Sequence, residues 1–365
     1  MRWSIILFMS LVLFHSNSLF AQQTLTATTP MVSPKASISQ TVGITKIEVI
    51  YSRPAVRERQ VWGKVVRFSQ EPSKREKGKT RPWRAGANEN TIITFSTDAF
   101  VDSIPIKAGS YGVYMYIQES GDIECIFSSN YQSWGSYYYD PEKTVATVNT
   151  KWQDHKHTER MKFDFDSLTQ STVLLTLKWG NKSIPVPIQV DIKATTLKNL
   201  QQEIQSRHMI NHMGPQEAAE WCLRNDTNLE QALRWANYSI SFVKVFSNLK
   251  IKSEILEKLD RPDEAEEIMK EALSMGSVFE LHRYGGQMLK QKKIDQAFEI
   301  FQFNAKKHPN QWPVNYGLSK AYSAKSEFKT AIKYMNKAIE NCPNESTLAF
   351  LKQKLELLKN GEVIS

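Results

Sequence analysis

The sequence predicts an α+β multidomain protein: an N-terminal antiparallel β-sandwich or partly closed barrel, then a C-terminal all-α array of repeated helical hairpins. Two observations carry this. From about Ser33 to Ile192 apolar residues alternate with a period of two, and over the last third of the chain residue types recur every 34 positions. Alternation places successive side chains on opposite faces of a strand, whereas a period near 34 accommodates one helix–turn–helix unit per repeat. No strand-like run before residue 195 is followed by a helix-length amphipathic pattern, which argues against an alternating α/β fold.

Ahead of the β region, Arg2, the apolar run from Ile5 to Phe14 and the small residue Ala21 compose a basic n-region, an h-region and a cleavage point. The run is well short of the roughly 20 residues that span hydrocarbon. Residues 1–21 therefore read as a cleaved secretory signal and 22–32 as a linker, which makes the mature chain exported, periplasmic or extracellular, and not membrane-spanning. Cys125, Cys222 and Cys342 are too few and too scattered for a disulfide framework. Cys222 and Cys342 fall among apolar neighbours in helical segments and read as core packing.

The formal charge is +9, and it is concentrated. Between Arg57 and Arg84 stand ten basic residues against Glu58, Glu71 and Glu76, a local net of +7. Pro72, Gly78 and Pro82 punctuate this stretch and it lacks helical periodicity, so a solvated, mobile insertion over about 64–82 is expected. Export argues against a nucleic-acid partner; an anionic headgroup, polysaccharide or acidic protein fits the charge better.

Within residues 33–193, Ile47, Val49 and Tyr51 share one face of a strand, and Tyr111, Val113, Met115 and Ile117 repeat the pattern. Ile123, Cys125 and Phe127 follow it, as do Met161, Phe163 and Phe165. Residues 172–179 and 184–192 read as two further strands, the second at an edge because Pro185 and Pro187 cannot donate to a ladder. Lys107 to Ser110 and Glu119 to Asp122 are turns by composition and would join neighbouring strands in a meander.

A connecting helix is expected over 194–213, broken by Gly214-Pro215, and helical repeats over 214–345. Pro309 to Pro343 and Ala297 to Ala331 are both 34 apart, and Ala232 and Ala265 precede them at spacings of 33 and 32. Two clear repeats thus follow two degenerate ones. Gly285 and Ser319 would let paired helices approach, Met288 and Tyr322 would fill the same face, and Asn304 stands where a small apolar residue is wanted. Ser346 to Lys359 reads as a capping helix in the terminal segment 346–365. This is the register of tetratricopeptide repeats, arrays that hold protein partners.

Seven blocks in the β region run in order: Ser33-Pro34-Lys35-Ala36-Ser37, Gln40-Thr41-Val42-Gly43, Tyr51-Ser52-Arg53-Pro54, Val61-Trp62-Gly63, Trp83 to Glu89, Ala108 to Gly112 and Trp134 to Asp140. Together they resemble the bacterial exported family called domain of unknown function 2911, over roughly residues 33–190. The resemblance implies a secreted β-rich domain, sometimes joined to tetratricopeptide-like repeats, with no established activity. Where relatives carry a short apolar connection before the Trp-Arg block, this chain carries its basic insertion.

Arg84, Asn88 and Glu89 put a fixed cation, an amide and a carboxylate on a Gly-containing turn. One reading makes Arg84 a clamp for a ligand carboxylate or phosphate, Asn88 an orienting donor and Glu89 a general acid or base. The other makes them a structural knot, with Arg84 paired to Glu89 and Asn88 bonded to the turn. Arg53 ends a strand and either joins the cluster or caps it. Trp134, Tyr137, Tyr139 and Asp140 suit a sugar platform, with Trp134 and Tyr138 on one face and Tyr137 and Tyr139 on the other, or else they cover one end of the core. Trp62 and Trp83 admit the same alternatives.

His155 and His157 lie in what reads as a polar loop, and His208 and His212 on a helix without a zinc-protease Glu, so no metal site is assigned. No cofactor fingerprint, P-loop or nucleophile elbow is present in the sequence. The expected function is an exported binding or scaffold protein. Its repeats would hold a protein partner, and its β domain would recognise a glycan, a peptide or an anionic envelope ligand. The alternative is a hydrolase-like enzyme built on Glu89 with Arg84 and Asn88.

Overall fold

Strand alternation and helical repetition divide the chain between Val190 and Asp191 into two units. The computed structural model describes residues 29–69, 81–204 and 211–364. The expected signal, most of the basic insertion, the middle of the connecting helix and His208 lie outside the described residues.

The first unit holds β1 (Lys35–Val42), β2 (Thr45–Ser52), β3 (Thr91–Phe95), β4 (Ala99–Val101), β5 (Ile104–Ile106), β6 (Gly109–Ile117), β7 (Asp122–Ser128), β8 (Thr144–Lys151), β9 (Gln153–Asp166) and β10 (Thr172–Gln189). They pair antiparallel in two sheets, in the orders β1-β2-β3-β6-β7-β8 and β5-β4-β10-β9. Inward residues of both sheets share one core: Ile47, Val49 and Ile93 from the first, Met161, Leu175 and Leu177 from the second. The Tyr51 ring of β2 meets the Phe163 ring of β9 edge-on at 5.0 Å. This is a β-sandwich, and each such buried aliphatic or aromatic contributes about 1.5–3 kcal/mol.

Several expectations are corrected here. Residues 172–189 form one strand, not two, and it is interior to its sheet. The prolines fall between two ladders: β9 pairs with Leu174 to Ser183 and β4 with Ile188 and Gln189. They serve as acceptors, Pro185 O from Thr150 Oγ1 at 2.7 Å and Pro187 O from the Asp102 amide at 3.0 Å. The Lys107–Ser110 turn joins β5 to β6, which belong to different sheets, so it makes a crossing and not a meander. His155 and His157 sit on β9, not in a loop. The short β4 and β5 and the Ser/Thr-rich β1 and β8 gave no strong alternation because they are brief or only half buried.

The second unit begins with α1 (Ile192–Glu203), whose first turn is capped where Asp191 Oδ1 accepts from the Ala194 amide at 2.9 Å. Hairpins follow: α2 (Met213–Arg224) with α3 (Leu229–Phe242), α4 (Phe246–Lys258) with α5 (Pro262–Met275), α6 (Val278–Lys290) with α7 (Ile294–Lys307), and α8 (Trp312–Ala324) with α9 (Phe328–Glu340). Gly214-Pro215 does not break a helix; it lies in the first turn of α2, where a missing N–H costs nothing. Cys342 lies just past α9, partly exposed, with its thiol on Asn344 O. Cys125 and Cys222 are buried, and burial raises their thiols to about 12 and about 11.

Ala232, Ala265, Ala297 and Ala331 occupy one place in the second helix of each hairpin, and all four are buried. Opposite them, Ser253 Oγ donates to Ala265 O at 2.6 Å and Ser319 Oγ to Ala331 O at 2.8 Å. Gly285 takes the corresponding place in α6, and a Cβ there would stand 2.7 Å from the Phe301 ring. Buried Asn304 keeps its place by donating to Val278 O at 3.0 Å. Finally α10 (Glu345–Lys359) is capped by Asn344 and buries Leu351 and Leu358. Among the described residues no helix is long and apolar enough to cross a membrane.

Candidate functional site

In the β unit, the connection between β2 and β3 builds the most distinctive cavity. Over 53–69 it is anchored: the Met161 amide of β9 donates to Pro54 O at 2.9 Å, the Val56 amide to Glu159 O at 2.8 Å and, at the start of the expected insertion, the Ser69 amide to Ile117 O at 2.8 Å. Val56, Val61 and Val66 are buried in the core. Further on, Trp83 exchanges backbone bonds of 2.8 and 2.7 Å with Met115, next to the end of β3. These two anchors bring Trp62 and Trp83 against Trp179 of β10. Trp83 stacks on Trp179 with ring centres 6.0 Å apart and planes 19° off parallel, and Trp62 meets both edge-on.

Above these rings lies a cavity of about 280 Å³ lined by Arg57, Arg59, Arg84, Trp83 and Trp179, with no acidic residue in its wall. Arg59 is tied to the wall, donating through Nε to Val56 O at 3.0 Å and through Nη2 to Ala55 O at 2.6 Å. Arg84 is different. Its Nε is buried without a partner, as are the indole N–H groups of Trp62 and Trp179. Among the described residues no carboxylate pairs with the Arg84 guanidinium, and burial lowers its pKa against an opposing pull from Tyr137. Gly135 packs against Arg84: a Cβ there would stand a tight 3.1 Å from Arg84 Cδ, and the φ of +58° itself favours glycine.

The other residues singled out in the sequence lie outside this wall. Asn88, in a left-handed conformation, donates to Ser33 O at 3.2 Å. Glu89 accepts from Ser52 Oγ at 3.4 Å and forms no ion pair with Arg84, so the knot between those two is not formed. Arg53 Nε donates to Met161 O at 3.0 Å. Residues Gly135–Tyr138 form a 3-10 turn and not a strand with two faces. Trp134 and Tyr137 are 56% and 66% exposed, so they do not cover the core. Tyr139 packs on Tyr114 at 5.1 Å, and Asp140 accepts from the Glu142 amide at 3.0 Å, capping the next turn.

Sequence reasoning did not find Trp179, Arg57 or Arg59 as cavity residues. The alternation Val173, Leu175, Leu177, Trp179 was a usable signal, since it turns Trp179 toward the inner face. Buried Asn90 was also missed; its Nδ2 reaches Tyr114 Oη at 2.8 Å and Ser133 Oγ at 3.0 Å, holding the aromatic segment in place. His157 Nε2 lies 3.3 Å from Glu159, but among the described residues no group of three metal-ligating side chains converges.

In the helical unit the first helices lie side by side and share a groove of about 270 Å³, lined by Gln216 and Glu220 of α2, Lys250 of α4, and Arg283, Tyr284 and Gln287 of α6. Tyr284 is held up by burial and by Glu254 and Glu257. Mixed charge around one aromatic ring suits a peptide segment better than a uniformly charged polymer.

The fold defines a β-sandwich unit followed by a unit of tetratricopeptide-like helical repeats, each with a concavity of its own. Residues 33–188 match the family described as "Protein of unknown function (DUF2911)", and residues 313–345 match the tetratricopeptide repeat. Solved structures similar to the chain include MamA from Desulfovibrio magneticus RS-1, at 21% identity, TM-score 0.26, covering 41% of this chain and 88% of that one. YrrB, described as a TPR protein with an unusual peptide-binding site, is 14% identical with TM-score 0.27 over 44% of this chain and 86% of its own. The C-terminal part of a TPR repeat-containing protein from Cytophaga hutchinsonii is 14% identical with TM-score 0.31 over 46% and 66%. No curated protein matches the chain.

Proposed function

We propose that this is an exported scaffold in which the helical repeats hold a segment of a protein partner and the β unit recognises a small envelope ligand. The observation that supports it best is the groove shared by α2, α4 and α6, where side chains from three successive hairpins face one concavity. A partner strand laid there would meet the Tyr284 ring flanked by Lys250, Arg283 and Glu220, a pattern able to select sequence and direction. Residues 1–21 have the composition of an export signal, which would place this binding outside the cytoplasm.

The test compares proteins cross-linked in the envelope to the full chain and to its Arg283→Glu variant. A partner recovered with the full chain and reduced at least tenfold by R283E is expected; equal recovery would remove the groove from the proposal. Mass spectrometry of the mature N-terminus checks export, with cleavage expected after Ala21. Retention of residues 1–21 would count against it.

A further inference from the structure

We infer that the tryptophan-walled cavity of the β unit binds one carboxylate group carried on a small apolar body. This rests on the β unit being the ligand-recognising part of the protein. Three independent features lead there.

The first is charge. Arg84 reaches the cavity with a buried, unpartnered Nε, and among the described residues no carboxylate neutralises it. A buried N–H without an acceptor on a half-buried cation is costly, and an incoming anion reduces that cost. A single planar carboxylate suits the cation better than a phosphate dianion. Arg59 already spends Nε and Nη2 on backbone carbonyls and Arg57 is exposed to solvent, so the half-buried Arg84 is the wall cation with a buried N–H still unspent, enough for one carboxylate.

The second is an orphan donor on another residue of the lining. Trp179 is only 1% exposed, yet its indole N–H has no acceptor. Buried indoles ordinarily find one, and a ligand oxygen supplies it. Trp83, by contrast, already donates to Gly86 O at 3.1 Å, so of the two indoles that line the cavity Trp179 is the one with its N–H still open. The third is size and surface. At about 280 Å³ the cavity lies at the small end of small-molecule sites, roughly 300–1,000 Å³, and stacked indoles line it. A ligand must therefore be compact, with an apolar portion to lie on the rings, which excludes a long glycan chain.

A carboxylate of this kind comes either from a free organic acid or from the C-terminus of a peptide, and calorimetric titration of the full chain separates them. The probes are phenylacetate, the tripeptide Gly-Gly-Phe as free acid and as amide, and inorganic phosphate. Saturable binding of phenylacetate or of the free-acid peptide, with no response to the amide, is expected. Phenylacetate alone identifies a free acid, and the peptide alone a chain end. Arg84→Gln should weaken binding at least tenfold, and Trp179→Phe, which keeps an aromatic ring but removes the N–H together with the five-membered ring, about tenfold. If Arg84→Gln does not fold, Trp179→Phe decides. Unchanged affinity in Trp179→Phe overturns the placement of the ligand. Saturation by phosphate but not by either carboxylate overturns the ligand class while leaving a ligand-binding β unit; silence from every probe overturns both.

Discussion

The two units bury their apolar surface over very different distances along the chain, and their functional surfaces differ for the same reason. In the helical unit the stabilising contacts recur locally: Ser319 bonds Ala331, twelve residues on, and Ser253 bonds Ala265 at the same interval. In the β unit the contacts that matter are remote, as where Arg53 bonds Met161 across 108 residues. Local repetition yields a groove assembled from equivalent positions on successive helices. Remote contact yields a cavity from unlike parts, in which a strand residue, a turn and an irregular connection meet once.

With cores built so differently, the two units should unfold separately. Trp179→Ala and Phe301→Ala each delete a fully buried aromatic and should each cost about 3–5 kcal/mol. Scanning calorimetry should show the first lowering one transition and the second another. One transition shifted alike by both would mean that the units act as a single cooperative body.

Next in size is the charge buried in the helical unit. Lys320 is 7% exposed, its ammonium 5.6 Å from the Phe301 ring and 5.2 Å from that of Tyr316. Burial, helped by Lys290 and Lys354, lowers its pKa from 10.5 to about 8. Because the folded value is the lower one, the cost of charging Lys320 is fully present below about pH 8 and disappears as pH rises toward 10.5. Lys320→Met should therefore add up to about 3 kcal/mol at neutral pH, an advantage that shrinks as the wild type gains stability between those values. Urea unfolding at neutral and alkaline pH measures it; a gain that is independent of pH would point to packing alone.

Gly285→Val drives new atoms into Phe301, where even a Cβ stands at 2.7 Å, and should cost about 1–3 kcal/mol despite its place in a helix. Wild-type stability in that variant would show that the two helices can separate freely. The smallest effect is expected from Asn304→Ala. It loses the bond to Val278 O but also removes a buried Oδ1 that has no partner, so the net change should stay within about 1 kcal/mol. A larger loss would make Asn304 a pinning residue and not a tolerated irregularity.

The helical repeats were legible because Ala232, Ala265, Ala297 and Ala331 must each admit a close neighbour, and the same packing rule applied four times leaves a countable period. Their finer devices were partly legible too: Gly285 and Ser319 announced close helices, whereas Ser253 disclosed its equivalent role only through its bond to Ala265. In the β unit the long alternating strands were readable from Ile47, Tyr111 or Phe163 alone, but the three-residue β4 and β5 were too short to leave a pattern. The site was legible only as a set of residue types. Arg84, Asn88 and Glu89 stand within six residues, yet the fold sends Arg84 to the cavity, Asn88 to Ser33 and Glu89 to Ser52.

By itself, then, the sequence determined the class of each unit and the presence of a repeat scaffold, because strand alternation and helix packing are written in residues close together along the chain. Only the tertiary structure decided that Arg57, Arg59 and Arg84 would surround one cavity and that Trp83 and Trp179, with Trp62 packed edge-on against both, would wall it. Those neighbours are brought together by backbone pairing between distant segments, Val56 with Glu159 and Trp83 with Met115, and a side chain's type does not record which distant partner its backbone will find.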